Sequence, residues 1–227
     1  MNANEYVIKL KKEFESRADA VIAKPMKKYM KNKFGFLGLN SPIRKELQKK
    51  FFSEFGLPKE NDFESVIKQL WELDEREYQY AAIEISIRFS KKSESKLISL
   101  FEFMIVNKSW WDTVDGISSW LVAAYFLKFP EEKNKVISNW LKSNNIWLQR
   151  ACLLFQLKYK TKTDTELLIN CIEKLKSINE FFIQKAIGWA LREYSKTDSE
   201  FVINYANSNN LSNFAQKEAL KWLKKRG

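Results

Sequence analysis

Histidine is absent from this sequence of 227 residues. Its absence excludes imidazole-based triads and general bases, and metal sites with histidine ligands. Cysteine is also scarce, because the chain has only Cys152 and Cys171 and no CxxC pair. Both lie in apolar helical patterns, which indicates buried thiols in a reducing cytoplasm rather than a zinc site or a disulfide framework. We therefore expect no metal, no cofactor and a cytoplasmic location.

Residues that form turns are few, with 6 Gly and 4 Pro in the whole chain. Sheet-rich folds and long loops need more of them, so this scarcity favours long helices with short connections. Long apolar runs are missing as well, since no stretch approaches the roughly 20 residues that cross a bilayer. The first twenty residues are charged throughout and lack the apolar centre of a signal peptide. These absences predict an all-α protein with no membrane partner.

Positive charge is in excess, because 39 Lys and Arg stand against 28 Asp and Glu, a net charge of +11. A field of this sign attracts polyanions. Nucleic acid is the commonest partner at such a charge, while an anionic membrane surface and a merely solubilising charge are the alternatives.

Three helical segments share one pattern: an aromatic residue just before a glutamine, an alanine two positions after it and a second aromatic ten positions after it. The glutamines are Gln79, Gln149 and Gln184, separated by 70 and 35 residues. The repeat is therefore 35 residues long, with one copy missing near residue 114. Two helices per unit at this period are typical of HEAT-like repeats. We predict an α-solenoid of about six HEAT-like repeats with a concave basic groove, in a single domain over residues 1–227.

The repeat register aligns position 115 with Tyr80, Arg150 and Lys185. Equivalent positions in a solenoid line one continuous surface. Residues one helical turn away share that face. The predicted lining is Trp111, Asp115, Arg150, Trp189 and Arg192, with Lys158 nearby. This mixture of cations, two indoles and one carboxylate suits a nucleic acid better than a protein. The other tryptophans that we assign to the core are Trp71, Trp120, Trp140 and Trp222.

Four segments resemble the AlkD-like DNA glycosylases, and the similarity runs in order over essentially the whole chain. They are Pro25–Asn32 leading into 36–38, Lys108–Asp115, Asn145–Ala151 and Phe181–Trp189. The resemblance implies HEAT-like repeats that excise cationic N3- and N7-alkylated purines, with Asp115 as the catalytic carboxylate. It also implies that Trp111 and Trp189 flank the lesion and that Arg150 lies alongside. We predict DNA contacts at Tyr29, Asn40, Arg44, Lys108, Ser109, Lys158, Lys185 and Arg192.

The inferred chemistry fits these residue types. An alkylated purine is already a good leaving group, so its release needs no general acid, and the sugar becomes cationic as in other glycoside hydrolyses. A carboxylate at about 4 Å would stabilise that cation by roughly 4 kcal/mol, about three powers of ten in rate. The expected partner is double-stranded DNA with alkylated bases, bound by a monomer. Two alternatives remain: a non-catalytic binder of damaged or branched DNA, and a protein-binding scaffold whose charge is incidental.

Overall fold

Helices supply almost all the regular structure in a computed structural model of the chain, which describes residues 1–93 and 96–225. Within these residues no β-strand is present, and an isolated β-bridge joins Gly35 and Glu75. None of the described helices is both long and apolar enough to cross a lipid bilayer. The predicted all-α class is confirmed. The chain divides into two compact units, one up to Lys96 and one from Leu97 onward, and a single domain over 1–227 stays a prediction.

The first unit contains five helices in the residues described. Helix α1 packs against α3 and α4, and α4 packs against α5. Ring contacts fill the space between them, including Phe14 on Tyr78 and Phe63 on Phe89. The helices are α1 (Ala3–Glu15), α2 (Ala20–Tyr29), α3 (Ser41–Phe55), α4 (Glu60–Glu72) and α5 (Arg76–Ser90).

A buried carboxylate organises the loop between α2 and α3. Glu77 on α5 accepts hydrogen bonds from the backbone amides of Leu37, Gly38 and Leu39, at 3.0–3.1 Å. Gly38 has φ +93°, and a Cβ there would lie 2.0 Å from the carbonyl oxygen of Asp19. Only glycine fits this close approach. The loop thus delivers Asn40 to the start of α3, where its side chain caps the helix.

The second unit contains nine α-helices within the described residues, and one π-helical turn between the second and third of them. Their bounds are α6 (Ile98–Val106), α7 (Trp111–Gly116), the π turn (Ile117–Val122), α8 (Ala123–Lys128), α9 (Pro130–Lys142), α10 (Ile146–Leu154), α11 (Thr165–Leu175), α12 (Phe181–Tyr194), α13 (Ser199–Ser208) and α14 (Asn213–Leu220). Short 3₁₀ turns cover Lys160–Lys162 and Leu223–Lys225.

Helical pairs stack in series in this second unit. The second helices of successive repeats are neighbours, because α7 and the π turn pack on α10, α10 packs on α12, and α12 packs on α14. The first helices α9 and α13 pack on the second helices of their own repeats, α10 and α14, whereas α11 packs on α9 and α10. This is the packing of an α-solenoid, as the sequence period predicted. The concave groove and the count of about six repeats stay predictions.

In three of the helical pairs a repeated glutamine ties the two helices together. The side-chain amide of Gln149 donates to the carbonyls of Leu141 and Ser143, eight and six residues earlier. That of Gln184 donates at the same offsets, to Lys176 and Ile178. Gln79 does so in the first unit, where it donates to Trp71, Leu73 and also Leu70. The last carbonyls of a helix have no intrahelical partner, and the glutamine satisfies them.

The copy near residue 114 departs from this pattern. Val114, which is fully buried, stands where the other repeats have glutamine. Its neighbour is Asp115, and the helix passes into the π turn two residues later. The sequence period located this copy correctly, although its residue types differ.

Several local predictions can be compared with the structure. Asn145 and Asp198 cap the starts of α10 and α13, and Asp62 lies inside the first turn of α4. Cys152 and Cys171 are buried free thiols, and burial raises the pKa of Cys171 to about 12. Trp71 and Trp140 are core residues as predicted, and Trp222 is half-buried. The assignment of Trp120 to the core is wrong, because its side chain is exposed.

Replacing the repeat glutamine should destabilise the fold. In Gln184→Leu the carbonyls of Lys176 and Ile178 lose their donor, and the hydroxyl of Ser212 loses its acceptor. We expect the free energy of unfolding to fall by about 1–3 kcal/mol, measured by denaturant titration. The control is Gln69→Leu, since the Gln69 amide donates only to the exposed Ser65 hydroxyl. Equal stability of the two variants would contradict the role of the repeat glutamine.

Candidate active site

Asp115 and Arg150 form a two-pronged ion pair. The Arg150 Nε donates to Oδ1 of Asp115 at 2.7 Å, and its Nη2 donates to Oδ2 at 2.9 Å. The side chain of Arg150 is 2% exposed and that of Asp115 is 16% exposed. The repeat register placed these two positions on one face, and the structure brings them into contact. The Asp115 side chain therefore keeps a small exposed fraction, while the Arg150 side chain is buried.

Three successive repeats converge on the Arg150 guanidinium. Asp115 lies on α7, Arg150 on α10, and the remaining donor, Nη1, bonds to the carbonyl of Phe182 on α12. The resemblance implied that Arg150 lies alongside the lesion, and this stays a prediction. The donors of Arg150 face Asp115 and the Phe182 carbonyl, so Arg150 positions Asp115.

The ionisation of Asp115 is balanced between opposing influences. Burial raises the pKa of its carboxyl above the usual range, and the negative charge of Asp112 acts in the same direction. The hydrogen bonds and charge of Arg150 lower that pKa, as does the positive charge of Lys185. Lys185 occupies the position of Asp115 two repeats later. The two side chains that the repeat register aligned are therefore close enough for the charge of Lys185 to act on the carboxyl of Asp115. The carboxylate would be far harder to ionise without these two cations.

Trp111 and Trp189 are both half-buried, so part of each side chain is exposed to solvent. Trp111 is the first residue of α7 and lies one helical turn before Asp115. Trp189 is on α12, one turn after Lys185. Both predicted tryptophans therefore belong to the same second unit, on helices that border Asp115 and Arg150.

An aromatic cluster of Trp110, Trp147 and Phe182 supports the starts of these helices. The three rings contact each other, with centroids 5.0–5.7 Å apart. Each ring comes from the start of a different second helix: α7, α10 and α12. The aromatic residue before each repeat glutamine was a sequence signal for two of the three. The cluster fixes the spacing of the three helices that carry Asp115, Arg150 and the Phe182 carbonyl.

The predicted DNA contacts of the second unit have different surroundings. Lys185 is exposed and lies over the ring of Phe181, while Lys158 lies over the ring of Trp120. Arg192 is not a freely available cation, because it is paired with Glu218 of α14. Lys108 has φ +48°, and the hydroxyl of Ser109 donates to the carbonyl of Ile105. A phosphate contact by Arg192 would have to compete with this ion pair, and it stays a prediction.

Three further predicted contacts belong to the first unit. Tyr29 is largely exposed at the end of α2. The Asn40 side chain accepts a hydrogen bond from the amide of Ile43, so it acts as a helix cap. Arg44 is half-buried with its guanidinium 4.7 Å from the Tyr80 ring, and its buried Nε has no hydrogen-bond partner among the residues that the structure describes. Capping engages the side-chain oxygen of Asn40, so the NH₂ group of the side chain is the part that remains for a contact with DNA.

Comparison with known proteins agrees with these observations. Residues 10–223 match the model of a family described as DNA alkylation repair enzyme. The chain belongs to this family. A solved structure titled as a predicted DNA alkylation repair enzyme from Enterococcus faecalis superimposes with a TM-score of 0.84 at 32% identity, over 92% of this chain and 97% of that one. No match is found among curated proteins.

Removing Arg150 should expose how strongly Asp115 depends on it. In Arg150→Met the largely buried carboxylate loses its partner, so the free energy of unfolding at neutral pH should fall by about 3–5 kcal/mol. Adding Asp115→Asn should recover part of that loss, because the uncompensated charge is gone. Denaturant titration of the single and double variants measures both effects.

The pH dependence has a definite sign. Without Arg150 the pKa of Asp115 rises further, and a carboxyl with a raised pKa in the folded state loses stability as the pH rises through that value. The gap between Arg150→Met and the double variant should therefore widen from about pH 4 towards neutral pH. A gap that stays constant would mean that the charge of Asp115 does not need Arg150.

Proposed function

We propose that this DNA alkylation repair enzyme is a glycosylase that hydrolyses the N-glycosidic bond of cationic N3- and N7-alkylated purines. The observation that carries the proposal is the Asp115 carboxylate, which accepts two hydrogen bonds from the buried Arg150 while the Asp115 side chain stays 16% exposed. A purely structural carboxylate would gain nothing from that exposure. In this proposal Asp115 faces the deoxyribose of the damaged nucleotide.

The reaction balances without an acid or a cofactor. Water oxygen bonds to C1′ of the sugar as the bond from C1′ to the purine nitrogen breaks. The electron pair of that bond goes to the purine and neutralises its positive charge. The proton of the water passes to Asp115 or to solvent. Asp115 stabilises the cationic sugar in the transition state and orients the water.

Arg150 reduces the field of Asp115 at the sugar. A carboxylate at about 4 Å attracts the sugar cation by roughly 4 kcal/mol at an effective dielectric of about 20, and a guanidinium at about 8 Å repels it by roughly 2 kcal/mol. The net gain is about 2 kcal/mol, or roughly 30-fold in rate, instead of the three powers of ten expected for a lone carboxylate. The remaining acceleration has to come from holding the water and the substrate in place.

Trp111 and Trp189 supply the selectivity in this proposal. Their indole faces attract a cationic deoxynucleotide by about 0.5–2 kcal/mol each. A neutral purine gains less, so the same side chains favour damaged nucleotides. Lys108, Ser109, Lys158, Lys185 and Tyr29 would contact the DNA backbone and contribute affinity without sequence preference. A monomer suffices, because Asp115, Arg150 and both tryptophans lie in the second unit of one chain.

One observation favours a second candidate, a non-catalytic binder of damaged DNA. Both oxygens of Asp115 already accept hydrogen bonds from Arg150, and a pair of this kind can serve only to connect two helices. The two candidates differ in whether free base is released from methylated DNA. A protein-binding scaffold differs from both, since it predicts no salt-dependent affinity for DNA, whereas a DNA binder loses affinity with a log–log slope of about −0.9 per phosphate.

Asp115→Asn should abolish the chemistry and keep the binding. The amide keeps the shape of the side chain but has no charge to stabilise the sugar cation, while the charge of Arg150 remains, so release of 7-methylguanine should fall by about three powers of ten. Affinity for the same DNA should change by no more than about twofold, because the carboxylate repels phosphates and gives no affinity. Free base released from methylated duplex and equilibrium binding are measured on the same preparation.

The matched control is Asp112→Asn, which removes one negative charge three residues earlier on the same helix. It should retain base release, because this carboxylate is not paired with Arg150 in the site. The glycosylase proposal fails if the unchanged protein releases no base. The role of Asp115 fails if both variants are equally impaired while folded.

A further inference from the structure

Trp120 is exposed in the unit that carries Asp115. Its side chain is 53% exposed, although a tryptophan at helical spacing was expected in the core. Indole is the largest side chain, and leaving it in water forgoes a substantial gain from burial. An exposed tryptophan beside a candidate active site therefore points to a ligand.

The π turn sets the direction of Trp120. The turn spans Ile117–Val122 and begins two residues after Asp115. Trp120 follows Asp115 by five residues, which is well over one turn of an α-helix. A π turn holds more residues than an α turn, so the same five residues are closer to one complete turn, and Trp120 lies nearer the helix face of Asp115. The hydroxyls of Ser118 and Ser119 bond to the carbonyls of Val114 and Asp115, at 2.6 and 2.7 Å. These bonds satisfy carbonyls where the α-helical pattern is interrupted.

Lys158 covers one face of the Trp120 indole. Its ammonium lies 2.8 Å from the ring centroid. The adjacent Tyr159 hydroxyl donates to the carbonyl of Ala123 at 2.6 Å, which fixes this segment against α8. The stretch from α7 to the π turn thus contacts α10 and the residues after it at two successive points. The first contact is Asp115 with Arg150, and the second is Trp120 with Lys158. At no more than the α-helical rise of about 1.5 Å per residue, Trp120 lies at most about 7.5 Å along the helix from Asp115, or about two base-pair steps of DNA.

We propose that Trp120 and Lys158 form a second nucleotide site beside Asp115, which takes an unpaired base of the DNA. The base stacks on the indole, and Lys158 binds the phosphate of the same nucleotide. A base inside a duplex has both faces covered by its neighbours, so only an unstacked base can offer a face to the indole. Lys158 supplies charge complementarity, and the net charge of +11 agrees with a polyanionic partner. The inference rests on the DNA binding of the proposed function and not on base release.

The test compares two DNA duplexes that differ only in one unpaired, bulged adenine. Equilibrium binding is followed by the anisotropy of labelled DNA, with no damaged base present. The protein should bind the bulged duplex more tightly, and Trp120→Ala should weaken that binding about 5- to 150-fold with little effect on the paired duplex. Trp120→Phe, which keeps an aromatic face, should retain most of the preference. Lys158→Met should make the salt slope shallower by about 0.9 on the bulged duplex.

The matched control is Ile203→Ala, another exposed apolar side chain of the second unit, on helix α13. It should bind both duplexes as the unchanged protein does. The inference is overturned if Trp120→Ala keeps the preference for the bulge, or if it weakens both duplexes equally while its thermal unfolding is unchanged. Because the assay needs no catalysis, a protein that releases no base would still show the preference, so the two proposals fail separately.

Discussion

The guanidinium of Arg150 is buried, so its N–H groups need hydrogen-bond acceptors inside the protein. Asp115 accepts two hydrogen bonds from it and the Phe182 carbonyl accepts a third. These partners belong to the repeats before and after its own, so one side chain connects α7, α10 and α12. Burying such a pair costs solvation that the attraction only partly returns, so stability alone is a weak reason for it. Its specific effect is to give one carboxylate a single orientation.

That orientation has an electrostatic cost. A cation behind the carboxylate weakens its attraction for a developing positive charge, and roughly half of the attraction survives at plausible distances. Burial without Arg150 would be worse, because it raises the pKa of Asp115 and favours the neutral acid. Arg150 and Lys185 oppose this effect, so the pair exchanges field strength for a carboxylate that is ordered and easier to ionise. Preorganised charge of this kind is what stabilises transition states in a partly dry site.

Sequence reasoning succeeded where the physics is periodic. A period of 35 residues predicted paired helices and placed residues 115 and 150 on one face, and these two side chains are in contact. The burial of Arg150 and the pairing of Arg192 with Glu218 were not predictable, because charge and register do not tell which cations meet a carboxylate across helices. The exposure of Trp120 was missed for a different reason. Helical spacing assumes α geometry, and the π turn at Ile117–Val122 changes the face on which the indole emerges.

The repeat that carries Asp115 is the one that departs from the others. It lacks the glutamine that joins the helices of three other pairs, since Val114 is in that place, and its second helix is interrupted by the π turn. Two serine hydroxyls and the aromatic cluster around Trp110 hold this stretch instead. Local rules are commonly broken where a protein needs a side chain in an unusual direction. Here the irregular stretch of α7 and the π turn contacts the next repeat at two successive points. Asp115 contacts Arg150, and Trp120 contacts Lys158.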